Sequence, residues 1–230
     1  MSPPETGAPG AEKFDSYAAS YDSLHRQSVA VSGEPTEYFA LYKIACLDRI
    51  QAPKSAPLLD FGCGIGNLTE PLAQTFSDVH GFDPSAKSLE VAQKRAPAAH
   101  LHTTTDAIPD DHFATVVLSG VLHHVPPRER PALLRTVRKK LRPGGRVVIF
   151  EHNPWNPLTR KAVADCPFDD DAILLWPWQL TGLLRDAGLH DIAREFIVFF
   201  PRALSFLRSV EPRLKRLFLG AQTMTIGARR

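Results

Sequence analysis

The segment Leu58–Thr69, LLDFGCGIGNLT, decides the fold of this chain. Its first residues are apolar, as is typical of a parallel strand that is buried on both faces. Asp60 ends this predicted strand, and a helix is predicted from Asn67 onward. The turn between them contains Gly62, Gly64 and Gly66. Because glycine lets a ligand approach the main chain and a helix start attracts anionic groups, the segment predicts a nucleotide-type site at this turn.

The spacing of these glycines differs from the dinucleotide fingerprint. That fingerprint is G-x-G-x-x-G, whereas this chain has G-x-G-x-G directly after an aspartate. A second strand-like run, residues 79–82, ends in Asp83. A carboxylate at this place can accept hydrogen bonds from both hydroxyls of a ribose. The glycine loop together with this acid is stronger evidence for a nucleoside ligand than the loop alone.

Segment 58–69 resembles motif I of the class I S-adenosylmethionine-dependent methyltransferases, and residues 81–85, GFDPS, resemble motif II. Three further blocks resemble the family and follow in the family's order. They are residues 105–107, residues 115–125 and residues 141–150. The resemblance covers roughly residues 56–152, and it implies that S-adenosylmethionine (SAM) is the cofactor and S-adenosylhomocysteine (SAH) its product.

The expected fold class is α/β, with a Rossmann-like, doubly wound sheet. Strands and helices alternate along the chain, which favours parallel strands joined by crossovers, with helices on both faces. Predicted strands lie near residues 56–60, 79–82, 100–104, 115–119 and 146–151, and predicted helices near 67–76, 85–95 and 128–141. Pro143-Gly144-Gly145 is expected to stop the last of these helices and to reverse the chain. By resemblance, the sheet has seven mostly parallel strands, and its last two strands form a hairpin with an antiparallel last strand.

The chain is expected to form one domain after a disordered N-terminal tail. The tail is predicted for residues 1–11 because this segment is rich in proline, glycine and small polar residues. The single domain then covers residues 12–230. Its expected parts are cap helices in 12–51, the cofactor-binding core in 56–152, and an acceptor-covering insert with the C-terminal hairpin in 153–230.

The resemblance assigns the cofactor-binding residues. The glycines would approach the methionine part of SAM, Asp60 would orient the loop and the ammonium group, and Asp83 would hold the ribose. Tyr17 and Tyr21 lie four residues apart, and they either close over the cofactor or pack on the sheet as part of an amphipathic helix. Asp106 and Ala107 would contact the adenine. Besides Asp60, Asp83 and the two tyrosines, the cofactor-binding candidates are Gly62, Cys63, Gly64, Gly66, Asn67, Pro84, Asp106, Ala107, Ser119, Gly120 and Val121.

Histidines mark the acceptor side of the expected site. His123 and His124 follow the fourth predicted strand and His152 follows the fifth, where a base can meet the acceptor. Histidine titrates near neutral pH and therefore suits proton removal, although one of the pair can instead pack and orient the loop. The acceptor-side candidates are Glu151, Trp155 and Arg160.

Composition narrows the expected partners and compartment. Of the 230 residues, 43% are apolar and 23% charged, and the net charge of +2 predicts no general affinity for nucleic acid. We find no secretory signal and no apolar run long enough to span a bilayer, and three scattered cysteines favour a reducing cytoplasm. The basic and apolar segment 202–219 can dock on a membrane or another subunit, but Pro212 favours two short helices packed on the sheet edge. We expect a cytoplasmic monomer or homodimer without membrane association.

No metal site is expected. The fourth strand end lacks the acidic ligands of catechol-type methyltransferases, and His100 and His102 alternate along a strand without a third ligand. The preferred function is methyl transfer to a small molecule. The alternatives are an NAD(P)-dependent oxidoreductase, disfavoured by the glycine spacing, and a non-catalytic module that keeps the cofactor pocket. Whether an oxygen, nitrogen, carbon or sulfur atom is methylated stays open.

Overall fold

The computed structural model describes residues 11–230. The tail predicted for residues 1–11 therefore lies outside the described residues, apart from Ala11, which begins the first helix. The strands are β1 Leu58–Phe61, β2 Val79–Phe82, β3 His100–His102, β4 Phe113–Ser119, β5 Leu141–His152, β6 His190–Ile197 and β7 Gln222–Ala228. The α-helices are α1 Ala11–Tyr17, α2 Tyr21–Val29, α3 Thr36–Arg49, α4 Thr69–Thr75, α5 Ala86–Arg95, α6 Arg130–Lys140, α7 Pro157–Ala164, α8 Pro177–Asp186 and α9 Glu211–Leu214.

The seven strands form one sheet in the order β3-β2-β1-β4-β5-β7-β6. The first five strands of the chain pair in parallel, whereas β7 runs antiparallel to both β5 and β6. This arrangement confirms the predicted fold class, including the antiparallel last strand. The strand order reverses at β1, so the connections that follow β1 and β4 lead in opposite directions. This leaves a crevice beyond the carboxyl ends of the two strands.

Two apolar cores lie on opposite faces of the sheet. One contains Leu59 and Val116 with residues of α6 and α8, and the other contains Leu58 and Val117 with residues of α3 and α4. Neighbouring positions of one strand point to opposite faces, so β1 and β4 contribute apolar side chains to both cores and are covered on both sides. The sheet therefore holds its carboxyl ends in a fixed relation to each other.

Several predicted boundaries were wrong by a few residues. The cap segment expected in 12–51 begins with two short helices, because a turn at Ser20, whose N–H donates to the carbonyl oxygen of Tyr17, separates α1 from α2. Helix α4 begins at Thr69 rather than Asn67. Helix α6 ends at Lys140, before Pro143-Gly144-Gly145, and these three residues lie inside β5 next to a register shift opposite β4.

The segment after β6 forms two short helices, as the sequence predicted from Pro212. A 3₁₀-helix covers Arg202–Val210, and Pro212 lies in the first turn of α9, where proline is tolerated. Phe206 is 74% exposed. Within residues 11–230, no helix combines the length and the hydropathy that crossing a membrane requires.

Candidate active site

A cavity of about 460 Å³ lies beyond the carboxyl ends of β1, β2, β4 and β5. This volume falls in the range of about 300–1,000 Å³ that is typical of small-ligand sites. The glycine loop after β1 lines it on one side, and histidines after β4 and β5 line it on the other. The cavity is where the crevice of an open α/β sheet is expected to bind its ligand.

The glycine loop is fixed from below by Asp60 and from the side by Val121. Asp60 is buried, and its Oδ2 accepts a hydrogen bond from Thr69 Oγ1 at 2.8 Å, which ties β1 to the start of α4. Burial raises the pKa of Asp60 to about 7. Gly62 has a φ of +83°, and a Cβ there would lie 2.5 Å from Val121 Cγ2. Only glycine fits this position, because another residue would be strained at this positive φ and its side chain would collide with Val121.

Asp83 clamps the glycine loop with one carboxylate oxygen and holds the start of α5 with the other. Its Oδ2 accepts from the Gly64 N–H at 2.8 Å, and its Oδ1 accepts from the Ser85 N–H at 2.9 Å. Burial raises the pKa of Asp83, although these two N–H donors oppose the increase. A Cβ at Gly64 would meet no atom within 4 Å, so the loop backbone borders open space at this point.

Helices α1 and α2 close the cavity from above. Tyr21 lines the cavity and stacks on Phe168, with ring centroids 4.5 Å apart. Phe14 also lines it and meets His124 edge-on at 5.0 Å. Tyr17 does not line the cavity, and its hydroxyl lies 3.4 Å from the carbonyl oxygen of Pro167. Of the two tyrosines for which the sequence left covering the cofactor and packing on the sheet as alternatives, only Tyr21 reaches the cavity, together with Phe14.

A buried cluster of histidines and carboxylates faces the glycine loop across the cavity. His123 is 2% exposed, and its Nδ1 lies 2.7 Å from Glu151 Oε2. The other oxygen of Glu151 accepts from the N–H groups of Val121 at 3.2 Å and Leu122 at 2.7 Å. Glu151 thus holds both the loop after β4 and the His123 ring.

The second carboxylate of this cluster comes from the insert after β5. Asp169 is 9% exposed, and its Oδ1 lies 3.2 Å from His124 Nε2 and 3.6 Å from His123 Nε2. The Ile173 N–H donates to the His123 carbonyl at 2.8 Å, which fixes the insert against the loop after β4. His123 therefore lies between two carboxylates, and His124 has one of its nitrogens directed at Asp169.

These surroundings make His123 differ in charge from His124 and His152 at neutral pH. Burial opposes a charge on His123, but Glu151 and Asp169 outweigh it and raise the His123 pKa to about 9. Burial, and then the charge of His123, lower the pKa of His124 and of His152 to about 4. His123 is thus a cation at neutral pH, while His124 and His152 are neutral imidazoles, each with one unprotonated ring nitrogen.

Not every predicted site residue reaches the cavity. Asp106 and Ala107 are exposed, and their neighbour Thr105 lines the cavity instead. Gly66 packs against α5, where its Cβ would lie 3.0 Å from Ala92. Trp155 packs with other aromatic residues away from the cavity, and Arg160 is exposed. The predicted residues that do line it are Tyr21, Asp60, Gly62, Cys63, Gly64, Asn67, Asp83, Pro84, Ser119, Gly120, Val121, His123, His124, Glu151 and His152.

Sequence reasoning missed three charged residues of the cavity, Lys43, Glu129 and Asp169. Asp169 belongs to a run of three aspartates, of which Asp170 and Asp171 pair with Lys13 at the surface. Lys43 lies on the apolar stripe of α3, and burial lowers its pKa to about 8 against the charge of Asp60. A charged residue on an apolar helix stripe was the available signal for Lys43. Nothing in the sequence distinguishes Asp169 from its two neighbours.

The sequence model of a family described as methyltransferase domain matches residues 36–200. The chain belongs to this methyltransferase family. The match confirms the predicted membership among class I methyltransferases, whose methyl donor is SAM. It does not favour the alternative of a nicotinamide-dependent oxidoreductase.

Relatives and solved structures agree with this assignment. The ubiquinone biosynthesis O-methyltransferase of Ruegeria pomeroyi is 32% identical over 164 residues, which cover 63% of this chain and 64% of that protein. An uncharacterized methyltransferase of Anoxybacillus flavithermus is 29% identical over 148 residues, covering 60% of this chain and 65% of that protein. The chain thus spans less than two thirds of the length of these relatives.

Solved structures share the fold at low sequence identity. A SAM-dependent methyltransferase from Archaeoglobus fulgidus has a TM-score of 0.65 at 18% identity, over 83% of this chain and 94% of that one. The magnesium protoporphyrin IX methyltransferase of Synechocystis PCC 6803, solved with bound SAM, has a TM-score of 0.64 at 17% identity, over 95% of this chain and 96% of that one. Both have the same fold as this chain.

Proposed function

We propose that this protein transfers a methyl group from SAM to a hydroxyl group of a small molecule, with His124 as the general base. One observation carries the proposal: a glycine loop clamped by Asp83 and a buried histidine–carboxylate cluster face each other across one cavity. A hydroxyl acceptor has a proton to lose, and the cluster offers a neutral imidazole for it. The named activity of the Ruegeria pomeroyi relative, O-methylation, supports the same choice of acceptor atom.

The residues around the glycine loop fit SAM. The open space beside Gly64 leaves room for the methionine end of the cofactor against the loop backbone. Asp83 directs its carboxylate to the cavity edge, where it can accept hydrogen bonds from ribose hydroxyls while it holds Gly64. Thr105 takes the position near the adenine end that the sequence assigned to Asp106 and Ala107.

The chain's contribution to catalysis is positioning and proton removal. When bound, SAM supplies an activated methyl group on a sulfonium, so the protein mainly has to align the acceptor, which can contribute up to about 7–11 kcal/mol. The short contact between Asp169 and His124 Nε2 orients the His124 ring. His124 Nδ1 is buried and has no hydrogen-bond partner among the described residues, so the protein leaves its lone pair unused. His123, held as a cation by Glu151, orients His124 rather than accepting the proton.

Calorimetric titration with SAH and with NADH tests the cofactor part of the proposal. The wild type should bind SAH and not NADH. Asp83→Ala should weaken SAH binding by about tenfold to a hundredfold or more, because hydrogen bonds to a charged group contribute about 1.5–3 kcal/mol. Asp106→Ala is the matched control, since this exposed aspartate does not line the cavity and should leave SAH affinity unchanged. Binding of NADH, or equal SAH affinity in the wild type and Asp83→Ala, contradicts the proposal.

Transfer of the tritiated methyl group of SAM to a panel of phenols and catechols tests the acceptor part. Methylation of amines but of no hydroxyl compound contradicts the proposed acceptor atom.

The proposed single-domain division of the chain and its monomeric or dimeric state stay predictions.

A further inference from the structure

A second group of histidines lies outside the cavity, at the β3 edge of the sheet. We call it the edge cluster; it consists of Asp78, His80, His100, His102 and His112. His80 and His100 are register partners on β2 and β3, so their side chains lie side by side on one face. The sequence alone showed no third ligand beside His100 and His102. The pairing of β2 with β3 supplies it.

The face that carries the edge cluster lacks a covering helix. Leu101 and Val79 point to the opposite face, into the core that α3 and α4 cover. The connection from β3 to β4 contains only a 3₁₀ turn, Thr105–Ala107, and this part of the chain is fully described. Because no helix packs on this face, these strand positions can carry imidazoles in place of apolar side chains. The imidazoles are half-buried or exposed to solvent.

The distances within the edge cluster suit a metal ion. Ligand atoms of Asp78, His80 and His100 all lie within 4.8 Å of one another. His80 Nε2 lies 3.2 Å from Asp78 Oδ1, and His80 Nδ1 lies 3.0 Å from His102 Nε2. When His80 Nδ1–H donates to His102, the lone pair of Nε2 faces a carboxylate oxygen, and a cation between these two acceptors is favourable.

We propose that the edge cluster binds a divalent transition metal ion of the zinc type, with Asp78, His80 and His100 as ligands. Two imidazoles and one carboxylate are ligands that Zn²⁺ accepts, and Zn²⁺–ligand distances are about 2.0–2.2 Å. His100 is exposed, so its ring can rotate toward the ion. His102 acts through His80: its contact with Nδ1 fixes the tautomer that presents Nε2, as partners beyond the ligands commonly do.

An ion at this place ties the edge strand to the sheet. β3 has only three residues, and it is paired on one side alone. The carbonyl oxygen of His102 accepts from the Asp83 N–H at 3.2 Å, so β3 also supports the residue that clamps the glycine loop. The ion therefore stabilises the edge of the sheet next to the cofactor site, without being part of that site.

Titration of chelator-treated protein with Zn²⁺, followed by calorimetry and by thermal melting, tests the proposal. The wild type should bind one Zn²⁺ at the edge cluster and melt at a higher temperature with it. The double variant Asp78→Asn/His100→Ala should bind this ion at least about tenfold more weakly and lose the melting shift. Both positions are at least partly exposed, and the matched control His190→Ala alters an exposed histidine far from the cluster.

The cavity histidines are a competing source of Zn²⁺ binding, because ligand atoms of His123, His152 and Asp169 also lie within 4.8 Å of one another. The variant Asp169→Asn separates the two sites. Loss of the ion in Asp169→Asn with full retention in the double variant overturns the proposal, and so does equal binding in the wild type and the double variant. Co²⁺ in place of Zn²⁺ provides a check on a single substitution: its visible absorption band should appear in the wild type and vanish in His100→Ala. These readouts do not depend on methyl transfer, so they are separate from the tests of the proposed function.

Discussion

Eight of the nine histidines fall into two groups of four that differ in their surroundings. His25, His123, His124 and His152 line the cavity, whereas His80, His100, His102 and His112 form most of the edge cluster. The cavity group is packed around two buried carboxylates, Glu151 and Asp169. The edge cluster has only Asp78, and its imidazoles are open to solvent to different degrees. By our two proposals, the same side chain therefore serves proton chemistry in one place and metal binding in the other.

The difference comes from the partners that surround each imidazole. In the cavity, the carboxylates keep His123 charged, while burial and then the charge of His123 keep His124 and His152 neutral. At the edge, imidazoles meet mainly each other, so their free nitrogens remain available as ligands. Partner identity, not residue type, decides the chemistry.

The largest expected effect is the loss of catalysis in His124→Ala. Removal of a general base typically lowers turnover by about 10²–10⁴-fold. The measurement is methyl transfer to the hydroxyl compound found in the acceptor screen, with SAH affinity measured alongside. His100→Ala in the edge cluster should retain full turnover. Comparable turnover in His124→Ala and His100→Ala would remove the distinction between the two groups.

His123→Gln should destabilise the protein by about 3–5 kcal/mol, because it removes the cation between two buried carboxylates. Urea unfolding at pH 7 measures the free energy of unfolding. The control variant is Arg160→Ala, at an exposed position outside the cavity. It should change the free energy of unfolding by less than about 0.5 kcal/mol. A loss of that small size in His123→Gln would show that the pair with Glu151 is not a buried ion pair.

The stability of the wild type should depend on pH in the alkaline range through His123. Its pKa is raised to about 9 in the folded state, from an ordinary value near 6.5. The stabilisation is therefore complete below pH 6.5 and is lost as the pH rises toward 9, amounting to about 3 kcal/mol. Unfolding free energies between pH 6 and 10 measure it, and His123→Gln should flatten this part of the profile. An equally steep decline in the variant would assign the effect to other groups.

The smallest expected effect is that of His100→Ala in metal-free protein. An exposed side chain away from buried partners changes the free energy of unfolding by less than about 0.5 kcal/mol. Thermal melting in the presence of a chelator measures it, next to His123→Gln under the same conditions. A strongly destabilised His100→Ala would mean that the edge cluster holds the sheet together without an ion.

Most of the cavity lining could be predicted from the sequence on both the cofactor side and the acceptor side, and the residues that were missed reach the cavity through tertiary packing. The glycine loop, Asp60 and Asp83 lie within two strand–loop units, so local sequence fixes their relation, and the structure places them on the cavity as predicted. Asp169 and Lys43 reach the cavity from distant segments, and only packing of the insert and of α3 against the sheet brings them there. Trp155 and Arg160 were placed on the acceptor side from proximity in the chain, which does not decide which way a residue faces.

By itself, the sequence determined the alternation of strands and helices, the turn after β1 and the family to which the chain belongs. These depend on hydrophobic period and on glycine positions, which act over a few residues. Only the tertiary structure decided which histidine is charged, which is neutral, and which ones gather at the sheet edge. Charge and ligation depend on groups within about 4–6 Å in space, and the partners of His123 and His80 come from segments far apart in the chain.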